Sequence, residues 1–262
     1  MDFIQRAIDK ARDQRKPDIA PAPSPAAAPG LNRLADTAIT YTQTRSVRPK
    51  PDHLLRERIV AAFDSDKRAE PYRQLRTQVL RRMREKQWRT LAVTSPNSHA
   101  GKTLTALNLA ISISREVNQT VLLVDLDLRN PTVMQKLGIQ AEFGLMDCLE
   151  KRCELKDVLV NPGFERLVVL PSLPGTSHRS EILSSPTMTT LLQEIVNRYD
   201  SRIVVFDLPA LLDDDDALAF TPFVDALMLV VEDGSSSRGD IERALLLMQG
   251  TPLLGTVLNK VR

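Results

Sequence analysis

The sequence predicts an α/β domain built on a doubly wound, mainly parallel sheet, with a helical and extended N-terminal tail. Three observations carry this. Short apolar runs alternate with helix-length segments from about Arg89 onward. Several runs are continuous rather than alternating, as expected of strands covered by helices on both faces. The chain has 262 residues, 42% of them hydrophobic, enough for one sizeable core plus a tail.

Taken in order, residues 1–16 read as an amphipathic helix, with Phe3, Ile4, Ala7, Ile8 and Ala11 on one face. So short a helix is marginal alone in water, so it is expected to dock on a partner helix or groove. Residues 17–30, PDIAPAPSPAAAPG, have the composition of an extended linker, which we carry through the polar stretch to residue 65. The domain is expected over 66–262. It opens with a helix at about 69–86 that places Leu75, Val79, Leu80 and Met83 on one side. Expected strands are 90–94, 121–125, 167–170, 203–207, 226–231 and 254–258.

Charge is uneven. Residues 1–90 carry 20 Lys+Arg and 11 Asp+Glu, a balance of +9, whereas residues 91–262 carry 15 and 22, a balance of −7. The basic front half points to an acidic partner surface or to a solvated arm. Little aromatic interleaving accompanies it, so no nucleic-acid role is expected. No apolar run approaches the roughly 18 residues of a membrane span, and no secretory leader is expected. Cys148 and Cys153 lack metal or redox spacing and read as reduced thiols. Together these place the chain in the cytoplasm.

The first central strand runs into TSPNSHAGKT, residues 94–103, and then a helix. Backbone N–H groups of such a turn, together with the helix N-terminus, converge on an anion. Ser98, His99, Ala100, Gly101, Lys102, Thr103 and Leu104 would line it. Lys102 would reach the β- and γ-phosphates of ATP, and the Thr103 hydroxyl would bind Mg²⁺. Pro96 stands where the usual pattern has its first glycine. The next strand ends in VLLVDLDLRNP, which puts Asp125 and Asp127 two apart on one side of an extended chain. RIVVFDLPALL places Asp207 at another strand end, in the form of a metal-holding Walker B carboxylate. Three such signals in this order define a sheet of the P-loop NTPase type. The acidic run 213–216 is read more simply as complementing a helix N-terminus, with Asp216 set apart.

These blocks resemble the bacterial polysaccharide-associated tyrosine autokinases over roughly residues 69–262. The resemblance looks closest to the subgroup encoded with exopolysaccharide and PEP-CTERM/exosortase loci, whose members tend to begin with a helix like IQRAIDKAR. EPYRQLR (Glu70, Arg73, Arg76) is similar to the family's E-x-x-R-x-x-R self-assembly motif, and Asp216-Ala217 falls on its Asp-Ala pair. SEILSSPTM resembles its S-E-L-L-x-S segment, and GTVLN its final strand, where Asn259 would face the adenine.

The resemblance implies ATP- and Mg²⁺-dependent phosphorylation of tyrosine, usually on a neighbouring copy in a ring-like homo-oligomer. It also implies activation by a membrane-embedded polysaccharide chain-length regulator, with the protein peripheral to the inner face of the membrane. Lys102 and Asp207 would serve phosphate and metal, and Asp125 would orient or deprotonate the hydroxyl with Asp127 assisting. Asp125 would join Thr103 and Asp207 at the metal.

Three departures qualify this. His99 replaces a loop glycine, which either reshapes nucleotide binding or adds a phosphate contact when protonated. Ala210 replaces the usual second proline after Asp207. The family's tyrosine-rich tail is not matched: the sequence ends Asn259-Lys260-Val261-Arg262, and its tyrosines are Tyr41, Tyr72 and Tyr199, with Tyr41 the most accessible acceptor. A partitioning ATPase of the ParA and MinD type shares the fold but has a lysine where this chain has Asn97. A catalytically weak nucleotide-binding scaffold is the other alternative.

Overall fold

The computed structural model describes residues 44–175, 179–197, 201–213 and 215–261. The expected docking helix 1–16, Tyr41 and Tyr199 lie outside them. All described residues fall within one unit, Asp36–Arg262.

In chain order the elements begin with β1 (Arg45–Ser46), α1 (Pro51–Arg56) and 3-10 turns at Val60–Ala62 and Lys67–Ala69. Then come α2 (Glu70–Lys86), β2 (Thr90–Thr94), α3 (Lys102–Ser114), β3 (Thr120–Asp125), α4 (Val133–Leu137), α5 (Leu145–Leu149) and α6 (Leu155–Val158). After β4 (Val160–Asn161) and β5 (Leu167–Leu170) follow α7 (Arg179–Leu183), α8 (Pro186–Asn197), β6 (Arg202–Asp207) and α9 (Asp216–Phe220). The chain closes with β7 (Ala226–Glu232), α10 (Arg238–Leu247) and β8 (Leu253–Asn259).

The six continuous apolar runs form a parallel sheet in the order β5-β3-β6-β2-β7-β8. Two-residue strands β4 and β1 extend it beyond β5, with β4 antiparallel to β5. Strand side chains alternate between two cores, one on each face. Leu91, Val93, Val121 and Leu123 pack with Val79, Met83 and Leu107 of α2 and α3. Ala92, Leu122 and Val124 pack with Leu191 and Ile195 of α8 and Phe220 of α9. This two-sided burial is why the strands read as unbroken apolar runs.

Helix ends follow local chemistry. α2 has Pro71 and Glu70 in its first turn, and Gln87 caps it in the left-handed region at φ 57. Leu75, Val79, Leu80 and Met83 do share its core side.

The chain leaves β2 through α3 to β3, then returns to place β6 between them. That reversal opens a crevice at the carboxyl ends of β2, β3 and β6, where ligands bind in such sheets.

The linker expected through residue 65 is corrected in its last third. Leu54, Ile59, Val60 and Ala61 are buried, and Ile59 is wholly so. These apolar residues are too few and too irregularly spaced to give a periodic signal. Their burial comes from contacts with α3 and α4, distant in sequence.

Candidate nucleotide-binding site

The turn after β2 is fixed at both ends. Ser95 and Pro96 carbonyls accept from the Leu211 and Leu212 amides, so the segment after β6 runs beside the loop. Gly101 caps α3 at φ 95, a left-handed conformation glycine adopts freely. A Cβ at Gly101 would collide with Asn259 Nδ2, whose amide donates to the Ala100 carbonyl at 2.8 Å. Asn259 therefore lies against the turn itself. Ala100 and Thr103 are buried, and Lys102 and Leu104 partly so. His99, exposed, sits at φ 66, so the missing glycine falls where the chain needs a left-handed residue.

Parallel register sets the acids side by side: Asp125 pairs with Asp207, and Asp207 with Val93 of β2. Lys102 Nζ donates to Asp127 Oδ2 at 2.7 Å. Asp127 Oδ1 accepts the Asn130 amide at 3.1 Å. Asp125 engages both oxygens with backbone, accepting from the Asp127 amide at 3.2 Å and the Val133 amide at 3.1 Å.

Asp207 differs. It is fully buried, and neither of its carboxylate oxygens has a hydrogen-bond partner of good geometry among the described residues. The Thr103 hydroxyl lies close enough to influence it. Burial pushes the Asp207 carboxyl up to about 6, against the pull of Lys102 and Thr103. Burial, then Asp207, holds the Asp125 carboxyl well above the usual range. For Lys102, burial disfavours the charge, but Asp207, Asp127 and Asp125 together outweigh it and raise its pKa.

A buried carboxylate without partners fits a divalent cation. Among the described residues no group of three or more His, Cys, Asp or Glu side chains could hold one. Asp207 and the Thr103 hydroxyl would therefore share Mg²⁺ with water and phosphate, the coordination it prefers. Asp125, with both oxygens on backbone amides, fits the metal less well than sequence order implies.

Two features escaped the sequence. Asp213, expected to complement a helix N-terminus, instead accepts from the Ser98 amide at 2.9 Å and from its hydroxyl. Asn97 donates to Asp240 at 3.1 Å, tying the turn to the start of α10. Asp216, by contrast, is buried in the first turn of α9. No local signal marks which distant loop such acids face.

Glu70, Arg73 and Arg76 lie apart from this site on α2. Arg73 pairs with Glu70 at 2.8 Å on the exposed side. Arg76 reaches Glu116 at 3.0 Å and the Ser112 carbonyl at 3.3 Å, bracing α2 against the end of α3.

A parallel sheet with a glycine-capped turn feeding a central helix, and acids at the adjoining strand ends, defines a P-loop nucleotide-binding protein. The chain matches the AAA domain family over residues 88–231. It is 31% identical over 193 residues to the tyrosine-protein kinase YwqD of Bacillus subtilis (strain 168), covering 73% of this chain and 80% of that one. It is 32% identical over 179 residues to the succinoglycan biosynthesis transport protein ExoP of Rhizobium meliloti (strain 1021), covering 66% of this chain and 22% of that longer one. The kinase domain of the Escherichia coli tyrosine kinase ETK superposes with a TM-score of 0.73 at 27% identity, covering 85% of this chain and 84% of that one. The chain thus belongs to the bacterial protein-tyrosine kinases of the P-loop NTPase superfamily. The Pyrococcus horikoshii septum site-determining protein MinD, with a TM-score of 0.55 at 24% identity, shares the fold alone.

Proposed function

We propose that this tyrosine kinase uses ATP and Mg²⁺ to phosphorylate tyrosine on neighbouring copies or partner proteins and so regulates exopolysaccharide export. The observation that carries the reading is Asp207, a buried carboxylate whose two oxygens have no partner of good geometry among the described residues, beside the Lys102–Asp127 pair. ATP with Mg²⁺ would supply the transferable phosphoryl group and neutralise charge on it.

The chain's own residues do the rest. Residues 99–103 and the start of α3 would present backbone amides to phosphate, the Ser98 amide being taken by Asp213, and Lys102 would be the cation to reach it. Engaging phosphate would take Lys102 off Asp127, leaving that carboxylate able to accept a hydrogen bond from an incoming hydroxyl; this reverses the expected order, in which Asp125 led and Asp127 assisted, because backbone amides hold both Asp125 oxygens. Asp125, with a raised proton affinity, is the second acid of the pair and holds the loop to Val133. General-base help of this kind is worth about 10²- to 10⁴-fold. Asn259, at the end of β8 and bonded to the turn through the Ala100 carbonyl, would face the adenine.

ExoP is named for biosynthesis and transport of a polysaccharide, which supports a place in that machinery. The +9 balance of residues 1–90 suits an anionic surface, and among the described residues no helix is long and apolar enough to cross a membrane. We propose a place on the cytoplasmic side beside a membrane-embedded regulator, as the resemblance implies, with self-assembly through Glu70, Arg73 and Arg76.

A catalytically weak scaffold is favoured by one observation, His99 at φ 66 in the phosphate turn. Calorimetric titration with Mg-ATP tests the site: the native chain should bind and Lys102→Met should not. Equal binding by the two would remove the assignment.

A further inference from the structure

Residues 51–64 do more than cover the core. They bond to two elements that carry the site, the helix α3 behind Lys102 and the helix α4 behind Asp125. On α3, Asn108 is completely buried. Its oxygen accepts the Ala61 amide at 2.9 Å, and its nitrogen donates to the Arg58 carbonyl at 3.1 Å and the Leu104 carbonyl at 3.0 Å. Arg115 donates to the Ala61 carbonyl at 2.9 Å and pairs with Asp64.

On α4, His53 Nε2 lies 3.0 Å from the Gln135 carbonyl, and Glu57 meets Lys136 Nζ at 3.3 Å. α4 opens with Val133, whose amide holds Asp125. Lys136 is close enough for its charge to act on Asp207. One segment therefore spans the phosphate turn's helix and the acid loop, and so bears on the separation between Lys102 and the three carboxylates.

We propose that residues 51–64 are a positioning strap for the nucleotide site, with the Glu57–Lys136 pair as its joint to the acid loop. The proposal rests on nucleotide binding at Lys102 and Asp207. It makes Glu57, Lys136 and Asn108 positioning residues and gives the segment leading in from the N-terminal arm a route to the site.

The test uses the full chain, calorimetric titration with the magnesium complex of a non-hydrolysable ATP analogue, and thermal melting. Glu57→Lys and Lys136→Glu should each weaken binding about two- to fivefold, the range that half-buried ion-pair couplings convert to. The double swap should restore it. A charge effect acting through space alone would instead raise affinity in Glu57→Lys. Glu85→Lys breaks an exposed pair with Arg81, 3.9 Å long and on the same side of the sheet as α3 but away from the strap, and should leave affinity unchanged. Unchanged affinity in the single variants, tighter binding by Glu57→Lys, or a double swap that stays weak would overturn the strap. A native chain that binds no analogue would overturn the nucleotide site itself, and the strap with it.

Discussion

Lys102 Nζ and Asp127 Oδ2 lie 2.7 Å apart, and each side chain is only 12% exposed. This ion pair sits beside two further acids, Asp125 and Asp207, both almost completely buried. Lys102 is thus the cation that makes three carboxylates tolerable in one crevice. Replacing it with Met should abolish nucleotide binding. It should also lower the stability of the nucleotide-free chain at pH 7.5 by about 3 kcal/mol, because uncompensated buried charge remains. Urea unfolding of the two proteins checks this, and equal midpoints would contradict it.

The acids predict a direction with pH. Asp207 takes up its proton at about 6 in the folded chain, above its ordinary value of 3.8. Between those values the folded state binds more protons than the unfolded one, so stability falls as pH rises. Raised proton affinity at Asp125 acts in the same sense. From Asp207 alone the nucleotide-free chain should therefore lose on the order of 2 kcal/mol between pH 4.5 and pH 7.5. Asp207→Asn should flatten that slope; a variant with the native slope would show that Asp207 does not set it.

His99 holds φ 66 with a side chain that tolerates it better than most. His99→Gly removes strain of about 1 kcal/mol but gives back about 0.5–1 kcal/mol through a freer unfolded chain. Thermal stability should barely move, while the turn closes on phosphate more readily and nucleotide affinity rises. His99→Val should cost at least about 1 kcal/mol. Equal melting temperatures for the Gly and Val variants would mean that the turn carries no such strain.

Glu70 pairs with Arg73 on the exposed side of α2 and contributes little to the fold. If the chain self-assembles through this motif as proposed, Glu70→Ala should leave melting nearly unchanged and lower the size that sedimentation reads. An unaltered oligomer would separate this motif from assembly.

Much of this arrangement was legible in the sequence. Central strands buried on both faces leave unbroken apolar runs; Asp125 and Asp207 each end one of them, and Asp127 follows two residues past the first. The residue at His99 could be picked out because only glycine passes freely through a left-handed turn. The strands β1 and β4 were not legible, since two residues carry no period. The strap escaped for another reason: Asn108 looks like any polar residue in a helix, and its bonds to Arg58 and Ala61 exist only once the chain has folded. Asp213 shows the same limit, because its partner Ser98 lies 115 residues away.

Kinase activity itself is tested most directly by mass spectrometry of the purified chain incubated with ATP and Mg²⁺, alone and with the cytoplasmic segment of the proposed membrane-embedded regulator. Tyr72 is a poor acceptor, because α2 holds it half-buried and burial raises its phenol pKa. Phosphotyrosine should appear on the native chain or on the added segment, absent with Lys102→Met and undiminished with Tyr72→Phe. No phosphotyrosine on any protein in either mixture would contradict it.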